Sequence, residues 1–270
     1  MEQLGYVKSQ DGSPLYAVYH PTTFEASHAL LPVVIAPPLF EERKSSYASL
    51  RRLAATLASA GHPVLRFDYR GSGESGGLSA VRRWRHLAED LATARKTLSQ
   101  LTGRRDSALL GLRLGGTLCL QESSRAGGEA VIALAPVVQG AMQVRLWKMR
   151  SKIRAELTGA GKECRGVIHE QKIAASDSLD FDGYEVNSKF FEDVAGIDLL
   201  RDLEQLSHPG LMLQISHRTD ALPESTQLVK ILGTHARLEL LRMEPFWDKI
   251  DDAPVQALED SVLKFLSGIL

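Results

Sequence analysis

Cysteine is nearly missing from this chain, with Cys119 and Cys164 the only two in 270 residues. Two thiols cannot build a disulfide framework, and their spacing fits no zinc motif. A small stapled fold is therefore excluded, and a reducing compartment fits better than a secreted one. A surplus of charge is missing too: 32 basic against 33 acidic residues leave a net charge of −1. No global field draws the chain toward nucleic acid or an anionic membrane. Long apolar runs are absent, and none approaches the ~20 residues that span a bilayer. The opening stretch from Met1 to Lys8 has no basic segment followed by an apolar core, so it does not read as a signal peptide. The expectation is a soluble, cytoplasmic protein with no nucleic-acid partner and no membrane span. Histidine, finally, does not occur after His235.

What is present is an alternation of short apolar strands and amphipathic helices. Strands are predicted at Leu15–Tyr19, Leu31–Ala36, Pro63–Asp68, Ser107–Leu112, Ala130–Leu134, Gly210–Ile215 and Arg237–Leu241. Helices are predicted at Ser45–Ala60, Ala80–Leu101, from Arg113 onward, and at Val144–Leu157, Asp193–Leu206, Glu224–Leu232 and Pro254–Leu266. Apolar residues three and four apart mark each helix, and Gly61 stops the first. This alternation implies an α/β fold with a mostly parallel sheet covered on both faces. Ligands then bind beyond the carboxyl ends of the strands. The rhythm breaks after Pro136. Residues 137–196 read as a cap or lid inserted into a core made of 1–136 and 197–270.

Gly111-Leu112-Arg113-Leu114-Gly115 carries the most information. It has the form of Gly-x-Ser-x-Gly, the strand-to-helix turn that aims a nucleophilic hydroxyl at a carbonyl. Here a guanidinium, permanently protonated and without a lone pair, takes the hydroxyl's place. Asp68 to Ser75, the elbow, Thr219-Asp220-Ala221-Leu222-Pro223 and Met243 to Trp247 follow one another in an order that resembles the α/β-hydrolase superfamily along essentially the whole chain. Pro37 to Lys44, the Arg-bearing elbow and Glu244-Pro245-Phe246-Trp247 together resemble, more narrowly, exosortase-system-associated hydrolase-like proteins. The superfamily resemblance implies an α/β-hydrolase fold with the nucleophile at 113, the acid at Asp220 and the histidine near Glu244. The narrower one implies a bacterial exopolysaccharide or protein-sorting context without naming a reaction. Serine and histidine are both replaced, so Ser-His-Asp hydrolysis is not expected, and no cofactor or metal is called for.

Several candidates compete at this site. Arg113 either plugs a dead pocket by pairing with Glu41, Glu42, Asp220 or Glu244, or grips a ligand carboxylate, phosphate or oxyanion. Asp220 reads best as a structural partner of Arg113. Asp220 and Glu244 are catalytic candidates only if the protein is an enzyme. Leu39, Phe40 and Leu114 offer backbone N–H groups of an oxyanion site, which does not depend on side-chain identity. Glu42 and Trp247 complete the candidate ligand contacts. Gly71 to Gly76 matches G-x-G-x-x-G, a weak dinucleotide signal when Glu89 and Asp90 sit inside a helix pattern. Ser72, Ser75, Ser216, His217, Cys164 and His169 are further polar groups, each better read as turn or surface. Three functions stay open: a pseudo-hydrolase binding a small anionic or acyl-bearing ligand; an epimerase, isomerase, lyase or weak esterase using Arg113 and a carboxylate; or an interaction module. A homodimer is compatible with each.

Overall fold

The computed structural model describes residues 2–22, 30–158, 178–248 and 255–269. Along the chain run β1 (Gln3–Lys8), β2 (Pro14–His20), β3 (Val33–Ala36), α1 (Phe40–Ser59), β4 (Val64–Phe67), a 3-10 turn (Ser79–Val81), α2 (Trp84–Thr102), β5 (Ala108–Leu112), α3 (Leu114–Ala126) and β6 (Ala130–Leu134). They are followed by α4 (Gly140–Thr158), β7 (Ser178–Phe181), β8 (Tyr184–Asn187), α5 (Ser188–Ala195), α6 (Leu199–Asp202), β9 (Gly210–Ser216), α7 (Pro223–Leu232), β10 (Ala236–Arg242) and α8 (Gln256–Ser267).

Eight strands make one sheet in the order β1-β2-β4-β3-β5-β6-β9-β10. From β4 to β10 every pairing is parallel, and β1 and β2 are antiparallel additions at one edge. The central strands β3, β5 and β6 are buried at every residue. Helices cover both of their faces, which explains their unbroken apolar sequence. On one face Leu87, Leu91, Leu98 and Leu118 of α2 and α3 pack against Leu65, Leu109 and Val131. On the other, Leu50, Leu53 and Leu57 of α1 join Leu258, Val262 and Phe265 of α8 over Val33, Leu110 and Ile132. The fold is an α/β-hydrolase fold, as the motif order implies.

Several expectations are corrected in detail. The first helix begins at Phe40 and not Ser45, so Glu41 and Glu42 lie in its first turn. The second begins at Trp84, after the 3-10 turn. The stretch Asp193–Leu206 is not one helix: Gly196 ends α5, and Asp198 caps α6 by accepting from the Leu200 amide. Strand β1 and the β7–β8 hairpin were not expected from the pattern. Leu4 and Tyr6 of β1 are largely exposed, so no buried face marks it as a strand. Cys164 and His169 lie outside the described residues.

Between β6 and β9 the chain leaves the sheet and returns. Its two ends are tied together: the Gly140 amide donates to the Ile197 carbonyl and the Leu199 amide to the Val138 carbonyl, each at 2.9 Å. The excursion packs inward on Phe40, whose ring meets Trp147, Phe181 and Tyr184 edge-on at 5.1–5.3 Å between centroids. Phe190 and Phe191 complete this aromatic cluster.

Candidate functional site

The carboxyl ends of β3, β5 and β6 converge on one small volume. Of the four described non-glycine residues with positive φ, three follow these strands: Phe40 (54°), Arg113 (55°) and Ala135 (42°). Such conformations cost roughly 1–3 kcal/mol each and gather at functional sites. At the elbow, neighbouring backbone dictates the shape. A Cβ on Gly111 would lie 2.2 Å from the Gly115 carbonyl oxygen, and one on Gly115 would lie 2.3 Å from that of Ala36. Only glycine lets α3 start this close to β3 and β5. Residue 113 is forced into a sharp turn with φ 55° and ψ −121°, and its side chain is thrown to the edge of the sheet.

That side chain is a guanidinium held from three sides. Nη1 donates to the Ala135 carbonyl at 3.0 Å and Nη2 to Gln143 Oε1 at 2.8 Å. Nε reaches Glu42 Oε1 only at 3.4 Å. The Trp247 ring lies under the group, 5.3 Å from ring centre to guanidinium carbon. Three bonds leave two of the five N–H donors of an arginine for other partners. The positive end of the α3 dipole adds to the charge, because Arg113 is its N-cap residue.

Glu42 faces the arginine from the first turn of α1 and is 6% exposed. Burial raises its carboxyl pKa, and the nearby Arg113 opposes the shift without cancelling it. Oε1 takes the long bond from Arg113 and a 3.5 Å bond from Gln143, while Oε2 is buried with no hydrogen-bond partner among the described residues. The pair is thus loosely matched.

A cleft of about 580 Å³ opens beside the guanidinium. Arg113, Gln143, Gln214 and Trp247 supply its polar end, and Val138, Met142, Leu146, Leu200 and Leu222 supply apolar wall. A larger groove, about 760 Å³, runs past Trp84, Gln121 and Arg125 on the flank and touches none of the elbow residues. The smaller cleft is the one that adjoins the strained edge. Leu114 begins α3 and Leu39 precedes α1, both buried. First-turn amides of a helix have no partner within it, so these two starts supply N–H donors to the edge.

The other candidates disperse. The Asp220 side chain is 76% exposed, accepts from the Thr219 hydroxyl at 2.7 Å and approaches Arg218, not Arg113. The expected Arg113–Asp220 pair does not form, and Glu42 takes that place. The Glu244 side chain is 62% exposed and lies 3.6 Å from His217. Ser216 accepts from the Arg218 amide. The 71–76 loop is used internally: Asp68 takes two bonds from Arg43, and the Ser75 hydroxyl donates to the Asp68 carbonyl. Asp90 does not wait for a ribose, since it binds Arg70. Ser123 and His208 do form a hydrogen-bonded pair, 2.7 Å apart, but both are buried. They lie at the end of α3 and the start of β9, on the edge opposite Arg113. Cys119 is buried in α3, and burial pushes its thiol well up, which suits packing.

The serine aminopeptidase family S33 matches residues 40–181, just over half the chain and including the elbow. The chain belongs to this family. The S33 assignment places it in the α/β-hydrolase superfamily, and solved structures agree on the fold. Est1E from Butyrivibrio proteoclasticus, solved with ferulic acid bound, superposes with a TM-score of 0.68 at 17% identity over 98% of each chain. The esterase Pf2001 from Pyrococcus furiosus gives 0.68 at 15% identity over 99% of this chain and 90% of its own. The enol-lactonase from Burkholderia xenovorans LB400 gives 0.63 at 19% identity over 97% and 100%. No curated protein matches by sequence. Within the S33 scaffold, Gln143 and the Ala135 carbonyl are the site groups that sequence reading missed. Gln143 lies one residue before the predicted start of its helix, and a backbone carbonyl leaves no compositional trace.

Proposed function

We propose that this S33-family protein is a pseudo-hydrolase that binds a small carboxylate- or acyl-bearing ligand where relatives hold their nucleophile. The observation that carries this reading is Arg113. It occupies the strained elbow and faces the cleft, and its only carboxylate contact among the described residues is the 3.4 Å bond that its Nε donates to Glu42. A ligand carboxylate can accept the remaining guanidinium N–H groups, aided by the amides that start α3. An acyl chain then runs along Val138, Met142, Leu146 and Leu222. The open cleft supports a binder over a module whose pocket the arginine has closed. Asp220 and Glu244 are exposed and stand away from Arg113, and Glu42, the buried carboxyl beside it, does not line the cleft, which supports a binder over an enzyme that moves a proton there.

On this reading residues 137–196 are the cap, tied at its base by the Val138–Leu199 and Gly140–Ile197 bonds. The resemblance to exosortase-associated proteins supports an accessory role, as carrier, sensor or scaffold in an envelope or secreted-product pathway. The test pairs two measurements. Hydrolysis of p-nitrophenyl esters is expected to stay at the buffer rate for the protein and for Arg113→Ser, because no histidine follows His235. Thermal shift with straight-chain carboxylates is expected to rise with chain length and vanish in Arg113→Ala. Ester turnover well above buffer that falls in Arg113→Ala would overturn the reading.

A further inference from the structure

Helix α4 has two apolar faces where packing needs one. Val144 and Trp147 point inward and are buried. On the other side Met142, Leu146, Met149 and Ile153 are 53%, 36%, 52% and 48% exposed. Their spacing of four, three and four residues aligns them in a single stripe, about 16 Å long at 1.5 Å per residue.

The charge around the stripe is one-sided. The helix carries Arg145, Lys148, Arg150, Lys152 and Arg154 against one acid, Glu156, in a chain whose net charge is −1. At 100° per residue, Arg145, Lys148 and Lys152 flank the stripe on one side and Arg150 and Arg154 on the other. Arg150 and Arg154 pair with Asp248 and Asp182 at 3.2 and 3.5 Å. Arg145, Lys148 and Lys152 are exposed and make no ion pair with any described residue.

We propose that this outward face of α4 rests on an anionic lipid bilayer, lying in its interface without crossing it. An apolar stripe bordered by lysine and arginine is the surface that such an interface takes. Among the described residues no helix is long and apolar enough to cross a membrane, so contact is peripheral. A protein partner would also need to be apolar and acidic; the bilayer is favoured by continuity with the cleft. Met142 and Leu146 belong to the stripe and also line the cleft beside Arg113. An acyl chain leaving the bilayer meets one unbroken apolar path. The apolar stripe and its basic border stand apart from the pseudo-hydrolase reading; the choice of a bilayer over a protein partner rests on that reading through this path.

The test is flotation of the full chain with vesicles of phosphatidylglycerol and phosphatidylcholine, beside vesicles of phosphatidylcholine alone. Binding is expected on the anionic vesicles and weakens with salt. Lys148→Glu with Lys152→Glu is expected to cut it at least about tenfold, and Met149→Ser with Ile153→Ser by a similar factor. Circular dichroism and melting temperature confirm that each variant folds. Arg113→Ala is expected to float like the parent, so a failed ligand reading shows up separately. Flotation with neither vesicle, or equally with both, overturns the proposal. So does self-association lost in Met149→Ser with Ile153→Ser and no lipid binding, which assigns the face to a second copy. A melting temperature lowered by that variant, again without lipid binding, assigns the face to packing within the chain and equally overturns it.

Discussion

Two of this molecule's arginine–carboxylate pairs differ in how completely each is satisfied. Arg70 and Asp90 lock together on the flank of the sheet: Nε and Nη2 reach Asp90 Oδ1 at 2.8 and 2.6 Å, and the Arg70 amide reaches Oδ2 at 2.9 Å. Asp11 and Glu89 take further contacts to the same guanidinium at 3.0 Å. Arg113 and Glu42 share one bond at 3.4 Å, and a carboxylate oxygen is left over. The first pair spends most of its donors and both carboxylate oxygens on internal partners and serves the fold. The second keeps donor and acceptor in reserve beside a cleft, which is the condition for meeting a ligand.

Removing half of the saturated pair is expected to do the most damage. Asp90→Ala leaves the buried Arg70 short of its main counter-charge, and a loss of about 3–5 kcal/mol in urea unfolding is expected. Arg70→Lys keeps the charge and loses the fork, so a smaller loss, about 2 kcal/mol, is expected in the same assay. If Arg70→Lys is silent, the fork is not what holds this pair.

The loose pair should respond mainly to pH. The folded-state pKa of Glu42 is raised by burial, so the native state holds its proton more tightly than the unfolded chain does. Its contribution is therefore full below the unfolded value near 4.3 and is lost as pH rises through the folded value. Arg113→Ala removes the group that opposes the shift. Stability close to the parent is expected at pH 4, with a loss growing to about 1–2 kcal/mol at pH 8. Glu42→Gln removes the titration itself, so it should match the parent at pH 4 and gain at most about 1 kcal/mol at pH 8. A large loss in Glu42→Gln at pH 8 would mean that the pair is a tight ion pair after all, and the contrast with Arg70–Asp90 would fail.

The sheet was legible because its strands are short, apolar and regularly spaced. Ala130–Leu134 matches its observed range, and β5 and β9 differ by one residue. Strand β1 was not, because its side chains are nearly all exposed and its identity comes from pairing with β2 alone. The elbow was legible from two glycines and an arginine. The partner of Arg113 was only narrowed to four carboxylates. Glu42 wins because α1 starts five residues earlier than its apolar pattern suggests, which turns that side chain inward. The outward stripe of α4 also escaped notice, since a helix with two apolar sides shows no single polar face to read.

Gly111, Gly115 and Ala36 fix the direction of residue 113 through main-chain contacts alone. The position behaves as a socket: whatever side chain is fitted there is aimed at the same point in the cleft. Nature has fitted an arginine. A thiol installed by Arg113→Cys would carry a fluorophore or spin label into the cleft mouth, and its signal would report on occupancy without any reaction being known.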